Sequence, residues 1–158
     1  MPWTPPPLKT ERLYLAAPDE AAQPAFVSDG RRAAEQGLPG LPSNWKIFLK
    51  ESDQPIGTVG YIRWDRETGV GEIGFILMNI HTGQGFMTEA CRAVVAFGFE
   101  GMGLAAVEAK SLPNNGASIR VLEKLGMKKE GRVQARLSSK GALVDLDLFS
   151  IRKIPEQP

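Results

Sequence analysis

One stretch restricts the fold more than any other part of the chain. Residues 71–78 alternate, with Ile73, Phe75 and Leu77 apolar, and from Phe86 onward the apolar spacing becomes helical. Gly83 and Gly85 stand between the two patterns. A strand that runs through a glycine loop into a helix brings free backbone N–H groups and the positive end of a helix dipole to the strand's end. That arrangement binds anions. Gly83 and Gly85 carry no side chain, so backbone can approach a phosphate closely, and Thr88 adds a hydroxyl donor. Glu89 falls in the first helical turn, where a carboxylate suits the dipole, and reads as a helix-starting residue. The spacing is neither Gly-x-Gly-x-x-Gly nor a P-loop, because no Gly-Lys-Ser/Thr follows. Taken alone, the loop at 82–88 supports both an anion site and a simple tight turn.

The rest of the chain supplies the layers around it. Residues 8–16, 45–50, 56–64, 104–110, 127–133 and 143–152 read as further strands. Ser52-Asp-Gln-Pro55 has turn chemistry and predicts an antiparallel hairpin between the second and third strands. Helices are predicted near 20–32, from Phe86 to about Gly101, and over 117–125, the last closed by Gly126 as a left-handed cap. Glycines and prolines at 37–42 exclude regular structure there. The order is strand, helix, three strands, helix, strand, helix, two strands. It predicts one mixed α/β (α+β) domain over 1–158, with a Pro-rich arm at 1–7 that is loose or extended.

Composition excludes several classes of function. The formal net charge is +1, with 19 Lys and Arg against 18 Asp and Glu, so neither nucleic acid nor an anionic membrane is an expected partner. No apolar run approaches the roughly 20 residues that a membrane helix needs. The single cysteine, Cys91, and the single histidine, His81, are too few for a structural zinc site. A lone cysteine cannot form an internal disulfide, which points to a reducing cytoplasm. Cys91 reads as a small apolar core residue rather than a nucleophile.

Three segments together carry a resemblance. Glu72-Ile-Gly-Phe-Ile-Leu77, then Gly83-Gln-Gly-Phe-Met-Thr-Glu-Ala90, then Asn115-Gly-Ala-Ser-Ile-Arg-Val-Leu-Glu-Lys-Leu-Gly126 resemble the GNAT superfamily of N-acetyltransferases. Thr10-Glu-Arg-Leu-Tyr-Leu15 and Asp145-Leu-Asp-Leu-Phe-Ser150 are similar to the opening and closing strands of its branch that acetylates ribosomal and other protein N-termini. The resemblance implies a mostly antiparallel sheet of six or seven strands flanked by helices. It implies acetyl-CoA as cosubstrate, no metal, and an amine acceptor: a protein N-terminus or, alternatively, a polyamine, antibiotic or amino acid. A catalytically weak acyl-CoA-binding module is a further reading. Backbone of Phe75, Ile76 and Leu77 would pair with the pantetheine arm. Backbone N–H groups of Gly83, Gln84, Gly85, Phe86, Met87 and Thr88 would hold the pyrophosphate. Asn115 matches the residue that bonds the CoA arm, and Ser118 matches a serine near the thiol and a catalytic candidate. Helix capping is the other reading of Asn115 and Ser118.

The chain departs from the family pattern at named positions. The motif Arg/Gln-x-x-Gly-x-Gly/Ala begins here with Thr82 and ends with Met87. Leu122 replaces the tyrosine that some members place four residues after the motif serine, and Phe149 replaces a tyrosine frequent in the branch. Only residues 16–44 separate Leu15 from Trp45, where relatives place two helices. The resemblance thereby implies an open acceptor groove, or one completed by a second subunit in a homodimer. Transfer requires a neutral amine to attack the thioester directly. Glu72 matches a glutamate that serves as base in the histone-acetylating branch. An ion-paired or solvated strand carboxylate is the alternative reading.

Overall fold

A computed structural model describes residues 5–17, 43–77, 83–136 and 143–153. Within them are eight strands and two helices: β1 (Leu8–Lys9), β2 (Leu13–Ala16), β3 (Ser43–Leu49), β4 (Pro55–Asp65), β5 (Val70–Leu77), α1 (Phe86–Gly101), β6 (Ala106–Ser111), α2 (Gly116–Lys124), β7 (Lys128–Arg136) and β8 (Leu143–Arg152). The helix predicted near 20–32 and the irregular run at 37–42 lie outside the described residues, as do Thr82 and His81.

The strands form one sheet in the order β1-β2-β3-β4-β5-β6-β8-β7. Every neighbouring pair is antiparallel except β5 and β6, which α1 joins as a parallel crossover. Eight strands replace the expected six or seven because the first one folds back on itself. Thr10 donates its N–H to Leu13 O at 3.0 Å and accepts the Leu13 N–H on its hydroxyl at 3.1 Å. This turn sets Leu8 opposite Leu15. The expected β3–β4 hairpin forms, closed by Asp53 N–H to Leu49 O at 2.8 Å. The N-terminal arm is joined to the sheet where it is described: Pro5 is buried, and Pro6 O accepts the Trp45 indole N–H at 2.8 Å.

The core lies between the sheet and α1. The helix buries Phe86, Met87, Ala90, Cys91, Val94, Val95 and Gly98, a stripe at three- and four-residue spacing. It packs against fully buried Leu13, Leu15, Trp45, Ile47, Val59 and Tyr61. Tyr61 donates its hydroxyl to Val94 O at 2.7 Å, so the buried phenol is satisfied and the helix is pinned to β4. Met87, which departs from the family motif, is 3% exposed and belongs to this core, where its length fills space under the loop. Leu122 and Phe149, the two replaced tyrosines, are core residues too, at 0% and 3% exposure. Among the described residues, no helix is long and apolar enough to cross a membrane.

One topological detail positions the site. The β5–β6 ladder runs from Val70–Ala106 to Ile73–Ala109 and ends there. β5 continues to Leu77, paired on its other side with β4 through Val59–Phe75, Thr58–Ile76 and Gly57–Leu77. Beyond Ile73 the sheet therefore opens, and the β6-facing backbone groups of β5 have no ladder partner among the described residues.

Candidate acetyl-CoA site

The opening leads to a cavity of about 450 Å³, within the usual range for small-molecule sites. Its described lining includes Phe75 from β5, Gly83 and Gly85 from the loop, Phe86, Met87 and Thr88 from the first turn of α1, and Asn115 and Ser118 from the start of α2. Eight of the residues expected from sequence are thus brought to one wall system. Ile76 and Leu77 follow Phe75 on the same strand, and Gln84 lies in the loop, but these three are not among the lining residues.

The loop is shaped for backbone donors. Gly83 and Gly85 have φ of 81° and 79°, in the left-handed region that favours glycine. A Cβ at Gly83 would meet nothing within 4 Å among the described residues. Gly85 is the N-cap of α1 and offers no side-chain acceptor, which leaves the first N–H groups of the helix to other partners. Thr88 is 7% exposed, and its hydroxyl has no hydrogen-bond partner among the described residues. A buried hydroxyl without a partner is costly unless a ligand supplies one. Charge points the same way. Arg120 and Lys124 are the charged residues among the described lining, and no described carboxylate joins them. The residues present fit an extended, anionic ligand.

A second layer holds the loop. Arg12 donates Nη1 to Gln84 O at 3.0 Å and Nε to Glu89 Oε1 at 2.7 Å, and its guanidinium lies 4.4 Å from the Phe86 ring centre. Glu89 also accepts the Arg12 backbone N–H at 2.8 Å and the Thr10 hydroxyl. Partial burial pushes the Glu89 carboxyl upward. Donation from Thr10 and Arg12 outweighs it and holds the group below its ordinary value. Glu89 thereby ties α1 to the β1–β2 turn. Sequence reasoning assigned Arg12 no role. The signal was the Thr10-Glu-Arg12 turn itself, whose partner only folding reveals.

Asn115 caps α2, accepting the Ser118 N–H on Oδ1 at 3.2 Å, while both residues line the cavity. Capping and a ligand contact are compatible, since the amide nitrogen and the Ser118 hydroxyl are not used by the cap. Glu72 lies elsewhere. It alternates with Ile73 and Phe75, so it faces away from α1, and it is not a lining residue. Its side chain is 6% exposed and paired with Lys110 Nζ at 3.1 Å and Arg63 Nε at 3.6 Å. Arg63 reaches on to Glu108 at 3.0 Å. Cys91 is fully buried, and burial pushes its thiol up. Among the described residues, no His, Cys, Asp or Glu cluster can hold a metal ion.

A family model of the acetyltransferase (GNAT) domain matches residues 2–128. This chain belongs to the GNAT acetyltransferase family. It is 39% identical over 116 residues to the uncharacterized N-acetyltransferase p20 of Bacillus licheniformis, covering 73% of this chain and 65% of that protein. The chain thus spans a little under two thirds of that relative's length. Among solved structures, a ribosomal-protein alanine acetyltransferase from Vibrio fischeri superposes with a TM-score of 0.76 at 21% identity, covering 96% of this chain and 99% of that one. A ribosomal α-N-protein acetyltransferase solved with coenzyme A superposes with a TM-score of 0.71 at 18% identity, covering 90% and 95%. At these identities the agreement concerns the fold, a mixed α/β GNAT sheet.

Proposed function

We propose that this GNAT domain transfers the acetyl group of acetyl-CoA to a primary amine. The observation that carries the reading is the opening of the sheet after Ile73, directly beside a cavity at the start of α1 whose described lining carries cations and no carboxylate. An extended amide chain adds to an unpaired strand edge as a further strand does. Backbone of Phe75, Ile76 and Leu77 takes the pantetheine arm in this way. The N–H groups from Gly83 to Thr88, Gln84 included, take the diphosphate, and the Thr88 hydroxyl gains a partner. Asn115 and Ser118 meet the arm from α2. That a fold neighbour is solved with coenzyme A supports the choice.

When bound, acetyl-CoA supplies an activated thioester carbonyl. The chain's own work is to hold that carbonyl, admit a neutral amine and receive its proton. Glu72 is the proposed base. Lys110 Nζ and Arg63 Nε hold its carboxylate in place, and its face of the sheet leaves the opposite face to the acetyl donor. An α-amino group of pKa about 8 asks little of it. An α-amine is therefore the acceptor class to test first, and a fold neighbour named for a ribosomal protein's alanine supports a protein N-terminus.

Incubation with acetyl-CoA and a panel of peptides and small amines, read by mass and by free thiol, tests the reading. Acetylated product is expected, with peptides ahead of polyamines. Failure to bind or turn over acetyl-CoA would overturn it. Glu72→Gln is expected to lower turnover about 10²-fold or more while calorimetry shows unchanged acetyl-CoA affinity. Unchanged turnover across pH would remove the base assignment.

A further inference from the structure

α2 turns one face to the cavity, presenting Ala117, Ser118, Arg120, Val121 and Lys124. Arg120 and Lys124 stand four positions apart and are neighbours on that face. Both are exposed, and neither side chain has a hydrogen bond or ion pair among the described residues. Two cations at this spacing repel, so helix stability alone favours an acid at one of the positions. No described lining residue is acidic. Arg120 folds back toward the start of α2, with Nη1 3.3 Å from where a Cβ on Gly116 would sit. Lys124 stands nine positions after Asn115, about 13 Å along the axis at 1.5 Å per residue. The backbone donors of the α1 loop already offer a place for one anionic group, so two further cations on this face, with no acid among the described lining, call for a second.

We propose that Arg120 and Lys124 form a subsite for a phosphate monoester, the 3′-phosphate of acetyl-CoA. This rests on the acetyl-CoA reading above and adds the feature that distinguishes the cosubstrate from its dephosphorylated form. A phosphate monoester carries close to two charges and three acceptor oxygens, enough to engage a guanidinium and an ammonium together. The diphosphate is left to the backbone donors of the α1 loop. The exposed setting makes the interaction modest and salt-dependent.

Calorimetry with acetyl-CoA and 3′-dephospho-acetyl-CoA, on wild type and on the Arg120→Gln/Lys124→Gln double variant, tests the assignment. Wild type is expected to bind acetyl-CoA roughly tenfold more tightly than the dephospho compound at low salt. The double variant is expected to bind both alike, at the wild-type level for the dephospho compound, with its melting temperature recorded to verify folding. Raising salt is expected to narrow the wild-type difference. Equal wild-type affinities would overturn the subsite while leaving the acetyl-CoA reading intact. Equal losses for both compounds in the variant would also overturn it, assigning the cations to the diphosphate. No binding of either compound by wild type would overturn the acetyl-CoA reading itself.

Discussion

Arg12 is where single side chains matter most to the loop. It bonds a loop carbonyl and a helix carboxylate at once, and the latter would otherwise stand as a free negative charge beside the proposed diphosphate site. A double-mutant cycle on Arg12→Ala and Glu89→Gln is expected to give a coupling of about 0.5–1 kcal/mol in denaturant melts, since the pair is partly exposed. Arg12→Ala is also expected to weaken acetyl-CoA more than acetyl-pantetheine, which lacks the diphosphate. Zero coupling would mean that the loop keeps its shape without the tie. Asn115 separates into two parts in the same way. Asn115→Ala is expected to cost about 1 kcal/mol of stability through the lost cap and to weaken acetyl-CoA binding. Asn115→Ser keeps a capping oxygen, so an affinity equal to wild type in that variant would confine Asn115 to capping.

At the scale of elements, the contact between α1 and the sheet is set by absent side chains. A Cβ at Gly98 would fall on the Tyr61 hydroxyl and stand 2.9 Å from Leu104 Cδ1, and one at Gly71 would stand 2.7 Å from the same carbon. Tyr61 fills the space between them and reaches Val94 O. Gly98→Ala is expected to destabilise the domain by about 2–3 kcal/mol despite alanine's better helix propensity, because overpacking and the lost Tyr61 bond outweigh a gain of about 1 kcal/mol. Thermal melts check the sign, and a stabilised variant would show that α1 can shift off β4. The helix limits themselves follow local chemistry. Gly85 and Gly126, at φ of 79° and 89°, bound α1 and α2 where the sequence predicts them.

Across the whole molecule, three carboxylates, Asp65, Glu89 and Asp147, link stability to pH. Burial raises Asp147, but Arg132 at 3.1 Å and Lys129 at 3.4 Å outweigh it and hold the group below its ordinary value, as Thr10 and Arg12 do for Glu89. A folded-state pKa below the unfolded one means that the unfolded chain binds more protons in between. The stabilisation is therefore complete above the ordinary carboxylate range, near pH 4, and is lost as pH falls through the lower folded values. Melts between pH 2 and 7 are expected to lose less stability on acidification in Asp147→Asn than in wild type. An identical acid profile would assign the acid sensitivity to other groups.

Much of the fold was legible from the sequence. Periodicity and turn residues act within a few positions of each other, and they placed α1, α2, the β3–β4 hairpin and the glycine loop to within a residue or two of their observed limits. The resemblance to the GNAT superfamily, not periodicity, joined Asn115 and Ser118 to Gly83, Gly85 and Thr88 as one set. Periodicity and turn residues did not reveal the break of the first strand, since the Thr10 turn interrupts an alternation that otherwise continues. Other features have no local signature because they depend on which distant segments meet. Arg12 reaches Glu89 across 77 positions, and Glu72 finds Lys110 only because β6 lies parallel to β5 in a particular register. The same register ends at Ile73, and that end opens the sheet. Local dihedral and hydrophobic preferences set the loop at Gly83 and Gly85 before the N-terminus of α1, the proposed place for an anion. Packing decided that it stands beside an unpaired strand edge, under two cations with no acid opposite them.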